Sequence, residues 1–144
     1  MAMSSVVRLF TPVDFDMKEK DMNYLDLLMK LREAGQTAEK YKRELLSIAE
    51  SGNPQHHHVA GLKAAYMRAE TEFRRLKDQA NEIINTAEDV ELMRALYLRR
   101  VHRVPWEEIG RKIASNRSEM DLRQAAFLYI KRNYVNWGDY SDCF

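Results

Sequence analysis

The chain has 144 residues, of which 45% are hydrophobic and 31% are charged, a balance typical of folded proteins and unlike that of disordered chains. It has no apolar run of the roughly 20 residues that a membrane-spanning helix needs, and its first residues lack the apolar core of a signal peptide. We therefore expect no membrane association and a cytoplasmic location. The lone cysteine, Cys143, excludes an internal disulfide and fits a reducing compartment.

The first part of the chain predicts an irregular arm followed by two long helices. Residues 1–16 show no usable periodicity and are expected to form the arm. Residues 17–84 carry two apolar stripes whose steps alternate between three and four residues, separated by a turn that contains Gly52 and Pro54. The first stripe comprises Tyr24, Leu28, Leu31, Gly35, Ala38, Tyr41 or Lys42, Leu45 and Ile48, and the second comprises Val59, Leu62, Tyr66, Ala69, Phe73, Leu76, Ala80 and Ile83. Residues 17–84 are therefore predicted to form a long antiparallel helical hairpin.

Two features of this hairpin leave alternatives open. Gly35 either kinks the first helix or allows a partner helix to approach closely. Two amphipathic helices make only a thin core, so the hairpin either forms a homo-oligomer or packs on the C-terminal part of the chain. The apolar side chains outside the stripes, which are candidates for partner contact, are Leu27, Met29, Leu46 and Met67.

Residues 85–134 contain three more apolar-periodic segments, the middle one short. Pro105 stands where the first residue of a helix is favoured, and Ser118 with Asp121 three residues on is typical of a capping box that starts the third helix. A long helix, a short helix, a tight turn and a further helix form the helix-turn-helix arrangement, which places its last helix in a DNA groove. The predicted fold is therefore all-α, a hairpin followed by a three-helix helix-turn-helix domain.

The residues of this domain also resemble a known family. The similarity rests on the runs Leu98–Val101 and Trp106–Gly110 and on Ile113, which look like the signature of sigma-70 region-4-like helix-turn-helix domains. More specifically, the chain resembles phage and prophage regulators of the RinA/ArpU type, although Arg100 and Arg103 stand where the pattern has Tyr and Gly. The match covers roughly residues 92–127. The resemblance implies a transcriptional regulator that contacts promoter DNA, with RNA polymerase as a further partner.

The third helix of the domain is the predicted DNA-reading element. Gln124 has the groups to bond adenine, Arg117 to reach guanine or phosphate, and Asp121 to accept a hydrogen bond from cytosine. The side chains expected to contact DNA are those of Arg117, Ser118, Asp121, Gln124 and Arg132. Those expected to contact phosphates, and so to fix the register of binding, are Arg103, Arg111, Lys112 and Lys131. A competing interpretation is that Glu119 and Asp121 are first-turn carboxylates that complement the helix dipole.

The charge pattern leaves two interpretations open. Formal net charge is only +1, but the stretch from Arg94 to Arg132 has 10 basic residues against four acidic ones, an excess of +6. A local basic excess is what phosphate contact requires, and it is equally compatible with a solvated helical surface. The alternative function is a protein–protein interaction module, an adaptor or inhibitor that keeps the helix-turn-helix shape and no longer binds DNA.

The remaining features predict no catalysis. Residues 135–144 form an aromatic tail with Trp137, Tyr140 and Phe144, which we expect to pack on the body of the protein; the alternative is a peptide-like contact with a partner. The run His56–His58 does not predict a metal site, because three adjacent histidines on one helix cannot all face one ion. With no base placed near Cys143 and no nucleotide-binding or hydrolase motif, neither an enzyme nor a cofactor is expected.

Overall fold

The computed structural model describes residues 23–52, 56–113 and 116–144, and contains only helices and connecting turns in those residues. The elements are α1 (Tyr24–Ser51), α2 (His56–Thr86), α3 (Val90–His102), α4 (Trp106–Lys112), α5 (Glu119–Asn133) and a C-terminal 3-10 helix (Trp137–Cys143). The predicted all-α class is confirmed. The predicted arm, residues 1–16, lies outside the described residues. None of the described helices is both long and apolar enough to cross a membrane.

The two long helices pack against each other along their apolar stripes. α1 begins where the Asn23 side chain accepts a hydrogen bond from the Asp26 amide at 2.7 Å, and it ends at Gly52, whose φ of 69° suits a helix C-terminus. Gly35 does not interrupt α1: a Cβ atom there would lie 3.0 Å from the Phe73 ring of α2. Of the two predicted roles for Gly35, close approach of a partner helix is therefore the one observed.

The C-terminal helices begin and end at residues that cap them. Asp89 accepts a hydrogen bond from the Leu92 amide at 3.1 Å and starts α3. α3 ends at Arg103, whose φ of 53° lies in the left-handed region that glycine adopts most easily. α4 begins at Trp106, one residue later than predicted, with Pro105 in the N-cap position. The Ser118 hydroxyl accepts a hydrogen bond from the Asp121 amide at 3.1 Å and starts α5. The helix-turn-helix interpretation of α3, α4 and α5 stays a prediction.

One hydrophobic core joins the hairpin to the C-terminal helices. It contains the first turns of α1, the last turns of α2 and the inner faces of α3, α4 and α5. The Tyr24 hydroxyl donates to the Met93 carbonyl at 2.7 Å, which links α1 to α3 inside this core. Leu27 is buried, so the prediction that it offers a partner surface is wrong. By contrast, Leu46 and Met67 are exposed on the hairpin.

Candidate nucleic-acid interface

The outer side of α5 carries most of the side chains predicted to read DNA. Leu122, Ala126 and Ile130 are fully buried and attach the inner side of the helix to the core. The exposed side chains on the opposite side are Asp121, Gln124, Leu128 and Arg132. The Ser118 hydroxyl accepts the hydrogen bond that caps the helix, so this side chain fixes where α5 begins. The arrangement leaves a continuous solvent-facing strip along α5.

Arg117, which precedes this helix, is held by acidic side chains of the protein itself. Its two terminal nitrogens donate to the Asp89 carboxylate at 3.1 and 2.6 Å, and its Nε lies 3.9 Å from a Glu91 oxygen. A bidentate contact to guanine uses the same nitrogens. Arg117 therefore acts in this structure as a link between the start of α3 and the start of α5. The sequence did not indicate this link, since Asp89 is 28 residues away.

The Asp89–Arg117 pair makes stability depend on pH. Burial alone raises the pKa of Asp89, but hydrogen bonds from Arg117 and from the Leu92 amide outweigh it and hold that pKa below its ordinary value. The stabilisation is therefore present above pH of about 4 and is lost as the pH falls through the lowered pKa of the folded state. We expect the free energy of unfolding, measured with urea between pH 7 and 2, to fall less steeply in Asp89→Asn, which keeps the helix cap.

An exposed carboxylate supplies the control for this pH experiment. Asp78 lies on the exposed side of α2, and Asp78→Asn is expected to leave the slope of the wild-type pH dependence unchanged. An Asp89→Asn variant with the full wild-type slope would contradict the assignment of the acid sensitivity to the pair with Arg117.

The four predicted phosphate contacts differ in their surroundings. Arg103 and Arg111 are exposed to solvent. The Lys112 ammonium lies 3.7 Å from Glu108 one turn earlier on α4, an exposed pair of little energetic weight. The Lys131 ammonium lies 5.7 Å from the centre of the Phe127 ring and 5.9 Å from Trp137, within cation–π range. All four side chains are thus exposed, and the two lysines also contact other side chains of the protein.

Part of the basic excess seen in the sequence faces inward. Arg100 is buried, its Nε donates to the Leu25 carbonyl at 2.7 Å, and its terminal nitrogen contacts both oxygens of Asp142 at 2.7 and 2.6 Å. Arg99 donates to the backbone carbonyls of Val104 and Asp142. These two cations hold the C-terminal tail and the start of α1, so they are not a surface for phosphates. The periodicity of α3 did not identify this inward role.

The C-terminal tail packs on the body of the protein. Tyr140 is buried, its hydroxyl donates to Asp26 at 3.0 Å and it accepts a hydrogen bond from Asn23 at 3.1 Å. Its ring lies 5.2 Å from the Arg100 guanidinium. Phe144 contacts the Phe127 ring of α5 edge-on at a centroid distance of 4.9 Å. The tail thus connects α1, α3 and α5.

Cys143 reports on whether this tail is docked. The side chain is fully buried, and burial and the neighbouring Asp142 raise the pKa of the thiol to about 11 against the opposing effect of Arg100. Because the thiolate is the reactive form, a shift from an ordinary pKa near 9 lowers its fraction about 100-fold at pH 8. We expect iodoacetamide to modify the unfolded chain rapidly and the native protein at least 100-fold more slowly. Equal rates would show that the tail is undocked in solution.

The described residues contain no group of three or more His, Cys, Asp or Glu side chains arranged for a metal ion. The side chains of His56 and His57 are outside that description, and His58 is exposed. His102 ends α3 with its ring 5.6 Å from Tyr97. Burial and the nearby Lys77 lower its pKa, so its ring is neutral at pH 7 and supplies no charge for a phosphate.

No family model, curated protein or solved structure matches the chain. The function of the α5 surface is therefore inferred from its own residues.

Proposed function

We propose that this protein is a DNA-binding transcriptional regulator of the phage or prophage type, which inserts α5 into the major groove. The observation that carries the proposal is the outer strip of α5, a 15-residue helix capped by Ser118. Its inner side is anchored by Leu122 and Ile130, so the exposed side chains of Gln124 and Arg132 are presented on a rigid element.

In this proposal the exposed side chains divide into reading and positioning groups. Gln124 reads adenine, because its amide offers both a donor and an acceptor. Arg132 and Asp121 flank it, and phosphates are contacted by Arg103 from the turn before α4 and by Arg111 from α4 itself. Lys112 and Lys131 contribute further positive charge near the backbone, while Arg117 positions α5 through Asp89 instead of reading a base.

The proposal includes a homo-oligomer. The part of the hairpin that carries Leu46 and Met67 is exposed, with 55% and 66% of those side chains accessible, and a second copy would cover such surface. Two copies would present two α5 helices to half-sites about 34 Å apart or a multiple of it. The family resemblance adds RNA polymerase as a partner once the regulator is on DNA.

The test is selection of a random-sequence duplex library on the full chain at low and near-physiological salt. We expect one enriched motif that persists at the higher salt. The logarithm of the association constant for this motif should fall linearly with the logarithm of the salt concentration. Absence of binding even at low salt would refute the proposal. Arg103→Ala and Arg111→Ala should each reduce the salt slope by about one unit without changing the preferred motif.

Gln124 provides the sharper test of the reading helix. Gln124→Ala should weaken binding to the preferred site by about 1–3 kcal/mol and relax the preference at one base pair. Gln36, which is exposed on α1, is the matched control, and Gln36→Ala should leave affinity and motif unchanged. Arg117→Ala is unsuitable here, because it also removes the partner of Asp89 and disturbs the start of α5.

A protein–protein interaction module is the second candidate. It is favoured by the acidic surroundings of the α5 start, where Asp89 and Glu91 lie beside Arg117 and Glu119 and Asp121 follow in the first turn. These carboxylates would repel phosphates if the helix entered a groove. The salt titration separates the two candidates, because only a DNA-binding protein releases counterions on binding the duplex.

A further inference from the structure

Exposed apolar side chains concentrate on α5 and on the segment that follows it. The large hydrophobic side chains that are exposed in the described part of the chain are Leu46, Met67, Met120, Leu128, Val135 and Trp137. Four of these six lie between residues 120 and 137. Single exposed apolar residues are ordinary on protein surfaces, whereas a contiguous apolar patch marks an interaction site.

One of these four side chains, that of Met120, lines a shallow groove between α5 and Phe144. The depression has a volume of about 340 Å³ and is lined by Met120, Arg123, Gln124, Phe127 and Phe144. Inside the groove the Phe127 ring meets Phe144 at 4.9 Å between centroids, and the Trp137 ring lies next to the groove, 6.0 Å from Phe127. We call Met120, Phe127 and Phe144, with the adjacent Trp137, the aromatic groove. A depression of this size and depth suits one or two side chains of a partner.

The rim of the aromatic groove is basic. Arg123 is exposed and lines the depression, and the Lys131 ammonium stands over the Phe127 and Trp137 rings. Glu119 and Asp121 flank Met120 in the first turn of α5, and the sequence has no further Asp or Glu from Leu122 to Asn136, so the basic part of the rim begins at Arg123. An apolar floor with a cationic rim complements an amphipathic helix whose apolar side chains are flanked by carboxylates.

We propose that the aromatic groove is the docking site for an acidic amphipathic helix of a protein partner. Apolar side chains one turn apart on the partner insert between Met120 and Phe144, and its carboxylates pair with Arg123 and Lys131. The groove borders the strip that carries Asp121 and Arg132 and shares Gln124 with it, so a docked helix would cover part of the proposed DNA-reading surface. A protein docked there covers Met120, which is 73% exposed without it.

The experiment is selection of a phage-displayed library of 16-residue random peptides on the full chain, with Met120→Ser for counter-selection. Met120 is exposed, so this variant folds. Enriched peptides are then synthesised, and their binding is followed by the change in Trp137 fluorescence. In the control variant Trp137→Phe only the buried Trp106 emits, and its fluorescence should not respond to the peptide. We expect net negative peptides with apolar residues at positions i and i+3 or i+4, whose emission change disappears in Trp137→Phe.

Three variants define the expected result. Met120→Ser and Arg123→Gln should each weaken peptide binding by at least about fivefold, and exchange of the peptide's carboxylates for lysines should weaken it by about tenfold or more. Arg132→Ala, outside the groove, should leave peptide affinity within about twofold while weakening DNA binding by loss of a phosphate or base contact. If the duplex selection fails and the peptides still bind, the DNA proposal falls and the groove proposal stands.

Three outcomes would overturn the groove proposal. The first is the absence of any peptide that distinguishes the full chain from Met120→Ser. The second is equal affinity for the acidic and lysine forms of a peptide, since the partner would then not be chosen by charge. The third is self-association in sedimentation that Met120→Ser abolishes, because the occupant of the groove would then be a second copy of the chain.

Discussion

Asp142→Ala is expected to lower the free energy of unfolding by about 2–3 kcal/mol. The reason is the charge that it leaves behind. The Arg100 side chain is only 5% exposed, and Asp142 is its carboxylate partner at 2.6 Å. Without the carboxylate, the buried guanidinium keeps its hydrogen bond to the Leu25 carbonyl and its contact with the Tyr140 ring, but its charge is left unpaired. The loss lies at the low end of the range for broken buried pairs because the Asp142 side chain is 36% exposed and water reaches it.

Arg100→Met is expected to cost less, about 1 kcal/mol or below, although it removes the same ion pair. The buried charge disappears with the arginine, and Asp142 can turn to solvent, so no uncompensated charge remains inside the protein. In the Arg100→Met background, Asp142→Ala should therefore cost almost nothing. The coupling between the two sites in this double-mutant cycle should reach about 1–3 kcal/mol.

This coupling is measured by urea unfolding of the wild type, the two single variants and the double variant. The rate of Cys143 alkylation in each protein shows whether the tail has undocked. Asp139→Ala is the matched control in the same 3-10 helix, because the Asp139 carboxylate contacts only the nearby, exposed Asn136 among the hydrogen bonds described. It should change stability by less than about 0.5 kcal/mol. Equal costs of Asp142→Ala in the wild-type and Arg100→Met backgrounds would contradict the role of the buried charge.

The parts of the fold that the sequence predicted depend on neighbours in the chain. The capping position of Ser118 and the turn before Pro105 are decided by side chains within three or four residues, and local rules were sufficient for both. The buried positions Leu122, Ala126 and Ile130 recur at helical spacing, so periodicity identified them as the inner side of the helix.

The parts that the sequence did not predict depend on pairs that are distant in the chain. Arg100 is indistinguishable by periodicity from an exposed helical arginine until Asp142, 42 residues later, is placed beside it. Asp89 likewise reads as a helix cap, and its second role with Arg117 follows only from the packing of α3 beside α5. For the candidate site, the sequence alone identified the strip on α5. It overestimated the positive charge available around that strip, because Arg99 and Arg100 contact the tail and Arg117 is paired with Asp89.

Gly110→Ala is expected to destabilise the protein by about 1–2 kcal/mol, against the usual direction for this change in a helix. Alanine in place of glycine inside a helix ordinarily gains about 1 kcal/mol. Here a Cβ atom on Gly110 would lie 2.9 Å from the Cβ and 3.4 Å from the Cα of Glu119. Since Glu119 is the first residue of α5, the contact is relieved only by moving that helix, and overpacking of this kind costs about 1–3 kcal/mol.

Gly61 is the matched control for this substitution. It lies inside α2, and a Cβ atom there meets nothing within 4 Å, so Gly61→Ala should stabilise the protein by about 0.5–1 kcal/mol. Urea unfolding of both variants gives the sign of each effect, and amide chemical shifts along α5 show whether the helix has moved in Gly110→Ala. If both substitutions stabilise the protein, α4 and α5 are not in close contact in solution. A further measurement is the affinity of Gly110→Ala for the selected duplex. If α5 shifts and the affinity falls by more than the loss of stability explains, the close approach of α4 and α5 at Gly110 sets the position of the proposed interface.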